Sequence, residues 1–165
     1  MEEELKRLLQ MIRPLDREAM TRAEERQARL AKPPGSLGKL EDISIRLAGI
    51  TGQVQNRVDR KRILVLCADN GVVEEGVSSA PQSVTAAQAV NMTRSLTGMS
   101  SIAKFFGCEV VVADVGIVCP YHCPQIVNLR VAPGTRNFVR EPAMTREEAV
   151  RAILAGARLA AEAAE

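Results

Sequence analysis

Aromatic side chains are almost missing from this chain: they make up 2% of its residues, with no Trp and a single Tyr. Its core must therefore be filled by Leu, Ile, Val, Ala and Met. Charge of one dominant sign is missing too. The formal net charge is +2, and no basic stripe alternates with aromatics, so a nucleic-acid surface is not expected. No apolar run reaches the roughly 20 residues of a membrane-spanning helix, which sets aside a membrane partner. The start, MEEELKRLL, is acidic and amphipathic. A signal peptide would instead put a basic stretch before an apolar one, so a cytoplasmic address is the expectation. G-x-G-x-x-G follows neither of the strand-like runs, which disfavours a dinucleotide binder of Rossmann type. Internal repeats and low-complexity linkers are absent as well.

Histidine occurs once, which weakens the most suggestive metal pattern. Cys119-Pro120-Tyr121-His122-Cys123 carries two thiols and an imidazole, but a structural zinc site wants four ligands, and this spacing is not a standard one. Loop residues of a reducing compartment are the plainer reading, and no metal is expected. Cys67 and Cys108 fall in or beside strand-like runs and read as core thiols.

What is present, across 165 residues at 46% hydrophobic content, is the alternation of an α/β protein. Residues 3–12 and 16–30 have helical periodicity, with Leu5, Leu8, Leu9 and Ile12 on one face and Asp16 placed to cap the second helix. The Lys32-Pro33-Pro34-Gly35 segment stops that helix, since two prolines remove two donors. Ser36 then reads as the cap of a third helix running to about Gly52, with Leu40, Ile43, Leu47 and Ile50 at helical spacing. Residues 63–68 form a short β-branched run without alternation, the pattern of a parallel strand buried on both faces. It ends in Asp69-Asn70-Gly71, where the backbone must turn and where open α/β sheets place their ligands. A small-residue loop follows, Gly76 to Pro81. A helix from Ser83 to Leu96 comes next, with Val84, Ala87, Val90 and Asn91 expected inward. Met99–Phe106 reads as a shorter helix. Residues 109–115 repeat the strand pattern and end on Asp114, and residues 128–131 suggest a further edge strand. Thr145 and Glu148 have the spacing of a capping box opening a final helix to Glu165. The expected architecture is a partial, Rossmann-like parallel sheet flanked by helices. Residues 1–58 form a helical segment, and residues 59–165 the first half of the α/β domain.

Four blocks in one order, namely Lys32 to Gly38, Ala68 to Thr85, Gly134 to Phe138 and Pro142 to Thr145, make the chain resemble the nicotinate-nucleotide:dimethylbenzimidazole phosphoribosyltransferases. That family builds the lower-ligand nucleotide of cobalamin. Its members are about twice as long, and the resemblance implies that their glycine-rich block and catalytic glutamate would follow residue 165. The chain therefore resembles an amino-terminal half, expected to be inactive alone, with no catalytic residue of its own and no cofactor. The alternative is a non-catalytic base-binding subunit that partners a separate half.

The implied reaction displaces nicotinate from nicotinate mononucleotide by a ring nitrogen of a benzimidazole-type base. It needs a general base, a flat apolar slot and anchoring of ribose and phosphate. Ser78, Ser79, Ala80 and Pro81 supply small walls for the slot, with Gln88 expected to point back into it. Family members commonly carry an aromatic ring near Ala80, and many have histidine where Asn70 stands. The missing ring implies a roomier or differently shaped slot and puts dimethylbenzimidazole in question as the preferred base, whereas Asn70 cannot act as a base and is read as holding loop geometry or a hydrogen bond. Pro34, Gly35 and Ser36 are read as a pocket wall, and Asn70 and Gly71 as pocket-supporting turn residues. Asp69 and Asp114 are strand-end carboxylates that either cap the next turn or act chemically, and an exposed aspartate there would be a poor acceptor for an azole proton. Arg136 has two open readings, an anion partner by its forked geometry or a structural arginine holding its loop. With half of the family's sheet missing, an apolar edge should stay exposed, and self-association, as a homodimer, is expected.

Overall fold

The computed structural model describes residues 1–164 of the chain, so Glu165, the expected end of the final helix, lies outside the described residues. Two units are distinguished. Residues 8–59 form a helical unit, and residues 1–7 join residues 60 onward in an α/β unit. The first seven residues thus leave the helical segment to which the sequence assigns them. Glu2 and Glu4 at the start of α1 (Glu2–Met11) bond to Arg146 and Arg158, at 2.9 and 2.8 Å, and tie that turn to the α/β unit.

The helical unit pairs α2 (Arg17–Arg29) with α3 (Lys39–Thr51). Asp16 caps α2 as its spacing requires, accepting the Ala19 N–H at 2.9 Å. Close packing of the two helices depends on Gly49, where a Cβ would fall 2.7 Å from Cγ of Met20. The buried positions of α3 are accordingly Ala48 and Gly49, while Leu40, Ile43 and Ile50 are exposed. Ser36 is not the cap of α3. The helix starts after Gly38, and the turn before it is held by Glu41, which accepts Leu37 N–H at 3.1 Å and Lys32 Nζ at 2.7 Å. A carboxylate that satisfies an orphan N–H and a lysine together replaces the serine expected there.

The α/β unit contains a three-stranded parallel sheet in the order β1 (Arg62–Ala68), β2 (Glu109–Gly116), β3 (Val127–Asn128). Residue pairing runs Arg62 to Glu109 through Cys67 to Asp114, then slips before Ala68. Because the strands are parallel, all three carboxyl ends lie along one edge. Helix α4 (Ser83–Thr93) covers one face, where Val65, Cys67, Val110 and Val112 meet Ala86 and Ala89, and α5 (Gly98–Phe105) packs nearby against β2. Helix α6 (Arg146–Ala164) packs against β1, with Leu66 lying 3.9 Å from the Cβ direction of Gly156.

Only β2 is buried as a central parallel strand should be. β1 is the outer strand and half-buried, with Leu66 46% exposed, so burial on both faces does not hold for it. The β3 pairing sits at residues 127–128, one residue earlier than its sequence signal. α4 ends at Thr93 rather than Leu96, where Ser95 turns into the left-handed region at φ 58°. Its inward face is also shifted: Ala86 and Ala89 are buried, while Val84 and Ala87 are exposed. The cause is Thr85, whose hydroxyl donates to buried Asp69 and sets the rotation of the helix. Thr97 and Ser100 form a capping box that starts α5, and Thr145 and Glu148 form the one expected for α6, at 3.1 and 2.7 Å.

Candidate functional site

The carboxyl edge of the sheet is built around two aspartates, and both are buried rather than exposed: Asp69 is 4% and Asp114 1% accessible. Asp69 terminates β1. Its Oδ1 accepts the Thr85 hydroxyl at 2.6 Å and its Oδ2 the Val118 N–H at 2.8 Å, while its backbone carbonyl accepts Thr135 N–H at 3.1 Å. One residue therefore joins the strand end, the following helix, the β2 exit and the Gly134 loop. Gly71, two positions on, lies against that loop so closely that a Cβ would sit 2.5 Å from the Thr135 carbonyl oxygen. Its N–H donates to Thr135 Oγ1 at 3.2 Å. Only a residue without a side chain allows this approach.

Asp114 does the same work for β2. Oδ1 accepts Gly116 and Ile117 N–H at 2.9 and 2.8 Å. Oδ2 accepts Tyr121 Oη at 2.9 Å and Arg130 Nε and Nη2 at 3.0 and 2.7 Å. Burial pushes this carboxyl upward, but the Ile117 N–H and the Arg130 and Tyr121 donors outweigh it and hold it below its ordinary value. Tyr121 is raised, by burial first and then by its bond to Asp114. Burial, with both aspartates nearby, also raises the Cys67 thiol. Nothing in the sequence of the Cys119 to Cys123 loop marked its tyrosine as the partner of Asp114. Among the described residues no group of three or more His, Cys, Asp or Glu is placed to hold a metal.

After Gly71 the chain makes a 3-10 turn, Gly71–Glu75, which the sequence did not signal. It is fastened from the Gly134 loop. Buried Asn137 donates to Glu75 at 2.6 Å, and Arg140 bonds Glu74 at 2.9 Å. Between this turn, the β1 end and the start of α4 lies a hollow of about 300 Å³. Its walls are mostly aliphatic, from Val72, Val77, Ala80, Pro81 and Val84, with Asp69 and Asn70 at the strand end. That volume lies at the small end of ligand sites, and polar side chains of Asp69, Asn70, Ser78, Gln82 and Thr85 share the lining with the apolar ones.

Of the residues expected to form a base slot, Ser78, Ala80 and Pro81 line the hollow. Ser79 and Gln88 are exposed and do not line it. The Ser78 hydroxyl is already engaged, donating to the Ala80 carbonyl at 2.9 Å and accepting its N–H at 3.2 Å. Asn70 is exposed, and its amide makes no hydrogen bond among the described residues. Pro34, Gly35 and Ser36 belong to the helical unit and are exposed there. Arg136 is turned away from anion duty. Its fork is taken by Glu148, at 2.6 and 3.3 Å, and by the Pro142 carbonyl at 3.0 Å. The Arg136 bond, with help from the Thr145 N–H, holds the Glu148 carboxyl down at about 2.

Comparison with known proteins agrees with this architecture. Residues 12–165 match the family described as phosphoribosyltransferase. The nicotinate-nucleotide–dimethylbenzimidazole phosphoribosyltransferase of Clostridium tetani is 44% identical over 155 residues, which cover 94% of this chain and 43% of the relative. The enzyme of the same name from Yersinia enterocolitica is 45% identical over 155 residues, covering 94% and 44%. A crystal structure of the enzyme of that name from Thermus thermophilus superposes with a TM-score of 0.81 at 41% identity, over 90% of this chain and 46% of that one. The chain thus spans less than half the length of the relatives it matches.

Proposed function

This chain belongs to the phosphoribosyltransferase family, and from that premise we propose that it is the base-binding portion of an enzyme transferring phosphoribose from nicotinate mononucleotide to a benzimidazole-type base. The single observation that carries this reading is the aliphatic hollow at the carboxyl end of β1, braced by Asp69 and Thr85. A planar aromatic base suits such a slot, where apolar walls bury its faces and the strand-end polar groups meet its edge.

Neither aspartate replaces the general base that the reaction requires. Asp114 is saturated by five donors and does not line the hollow, and each Asp69 oxygen is committed to a bond that holds the fold, to the Thr85 hydroxyl and the Val118 N–H. The loss of a positioned base costs roughly a hundred- to ten-thousand-fold in rate. The chain alone should therefore bind bases without useful turnover, and activity should appear when the rest of a relative's length is supplied. A base-binding subunit working with a separate half is a second reading, supported by the same engaged carboxylates. The cytoplasmic setting goes with four cysteines that are all free thiols. Self-association is part of the proposal, since Leu66 on the outer strand and Ile102, Phe105 and Phe106 on or beside α5 are exposed. A second copy is the occupant proposed, and sedimentation giving a clean monomer would remove that part.

The test mixes the chain with nicotinate mononucleotide and dimethylbenzimidazole, with and without the remaining segment of a relative. Calorimetry follows base binding in parallel. Binding without turnover, and turnover on complementation, is the expected result. Undetectable base binding, or full turnover by the chain alone, overturns the reading.

A further inference from the structure

A second hollow, of about 530 Å³, opens between the segment after β3 and the Arg151 to Arg158 stretch of α6. Three arginines line it, Arg130, Arg151 and Arg158, and among the described residues no Asp or Glu does. In a chain whose net charge is only +2, that is a local separation of charge. Three arginines bordering one hollow repel one another, and the repulsion is relieved by neighbouring acids or by a bound anion.

The acids account for two of the three. Arg130 is held by Asp114 through Nε and Nη2, which fixes its plane and leaves Nη1 without a hydrogen bond among the described residues. Arg158 gives Nη2 to Glu4 at 2.8 Å, leaving Nε and Nη1. Arg151 makes no ion pair and no side-chain hydrogen bond among the described residues, so its whole fork is unmatched. The floor between the cations is apolar, made of Val131, Leu154 and Ala155, with Leu154 itself 3% accessible. A simple solvated arginine face has no such floor and no guanidinium locked in plane by a buried carboxylate. Arginine forks match phosphate oxygens with paired donors, and an apolar surface beside them receives a non-polar group attached to the phosphate.

We propose that this hollow binds an organic phosphate monoester, its phosphate held by Arg151 with the free N–H groups of Arg130 and Arg158, and its apolar part seated on Val131, Leu154 and Ala155. The site is separate from the aliphatic slot at the β1 end and does not rest on the function proposed for that slot.

Titration calorimetry at constant ionic strength tests it with four probes: phenyl phosphate, inorganic phosphate, phenol and chloride. Phenyl phosphate should bind roughly tenfold tighter than inorganic phosphate, since its ring adds apolar burial, and phenol and chloride should give no measurable heat. Arg151→Gln should weaken phenyl phosphate binding by about tenfold or more, the loss of a charge-assisted paired contact. The thermal midpoint of that variant should stay where it is, because Arg151 holds nothing else in place. Arg151→Lys keeps the charge without the fork and should recover only part of the affinity. Dimethylbenzimidazole should not compete with phenyl phosphate. The proposal is overturned by absent phosphate binding, by equal binding of phenyl and inorganic phosphate, by Arg151→Gln binding as the parent does, or by displacement with dimethylbenzimidazole.

Discussion

Replacing Asp114 by Asn separates the charge of this carboxylate from its shape. The parent side chain is 2% exposed and accepts two backbone N–H groups, the Tyr121 hydroxyl and two Arg130 donors. An amide keeps one oxygen for the Gly116 and Ile117 N–H groups but turns an NH2 toward donors that need an acceptor. Removing one member of a fully buried ion pair costs about 3–5 kcal/mol. Arg130 is 38% exposed, so water replaces part of what it loses, and a cost of about 2–3 kcal/mol is expected. With a urea slope of about 1–3 kcal/mol/M, the unfolding midpoint should fall by roughly 1–2 M. The pH dependence has a definite sign. The folded-state pKa of Asp114 is held below the ordinary 3.8, so its contribution is complete above that value and is lost as pH falls through the lowered one. The gap between parent and Asp114→Asn should therefore be constant from neutral pH to about pH 5 and narrow below about pH 4. Urea titrations followed by circular dichroism at several pH values measure both quantities. A gap below about 1 kcal/mol at pH 7, or one that widens on acidification, would refute the reasoning.

Gly71→Ala would drive a methyl group to 2.5 Å from the Thr135 carbonyl and 2.6 Å from the Asn137 nitrogen. Overpacking against backbone should cost about 1–3 kcal/mol, and an unchanged thermal midpoint would contradict the close approach. Thr85→Val removes the 2.6 Å donor to Asp69 and leaves a buried carboxylate oxygen without it. A loss of about 1–3 kcal/mol in stability is expected by denaturant unfolding, with weaker base binding beside it. Glu148→Gln should lower the thermal midpoint by the same amount from neutral pH down to about pH 5. Since the folded-state carboxyl sits at about 2, below the ordinary 4.5, that difference should disappear only as pH falls toward 2.

The parts of this molecule that were legible in the sequence are those where one physical cause acts locally. The β-branched runs, the Asp16 cap, the Thr145 and Glu148 box and the polar strand ends each follow from a few adjacent residues. The missed features depend on partners distant in the chain. Thr85 rotates α4 by bonding Asp69, and nothing in the apolar spacing of Val84, Ala87 and Val90 records that bond. Glu41 displaced Ser36 as the organiser of the α3 start because Lys32 shares its carboxylate. β1 is less buried than its apolar run implies, because composition says that a strand is apolar whereas its place in the strand order says how many neighbours cover it. At the candidate site, Ser78, Ala80 and Pro81 line a hollow while Ser79 does not, a distinction that the run of small residues does not carry. The orientation of Gln88 and the engagement of Arg136 with Glu148 could be learned only from the folded chain.

The stitching of the β1 end to the Gly134 loop also bears on the order in which the molecule assembles. Gly71 and Thr135 stand 64 positions apart, and the bond from Thr135 N–H to the Asp69 carbonyl spans a similar loop. Closing loops of that length takes up chain entropy before any contact returns it, so such pairings form slowly. The parallel pairing of β1 with β2 brings the two strand ends together, so it is expected to come before them. The walls of the hollow are thus among the last surfaces to appear on folding and among the first to open on unfolding. Amides at Gly71 and Thr135 should exchange with solvent sooner than those of Val111 and Val112, and a molecule bound in the hollow would act as a late folding clamp, slowing unfolding more than it speeds folding.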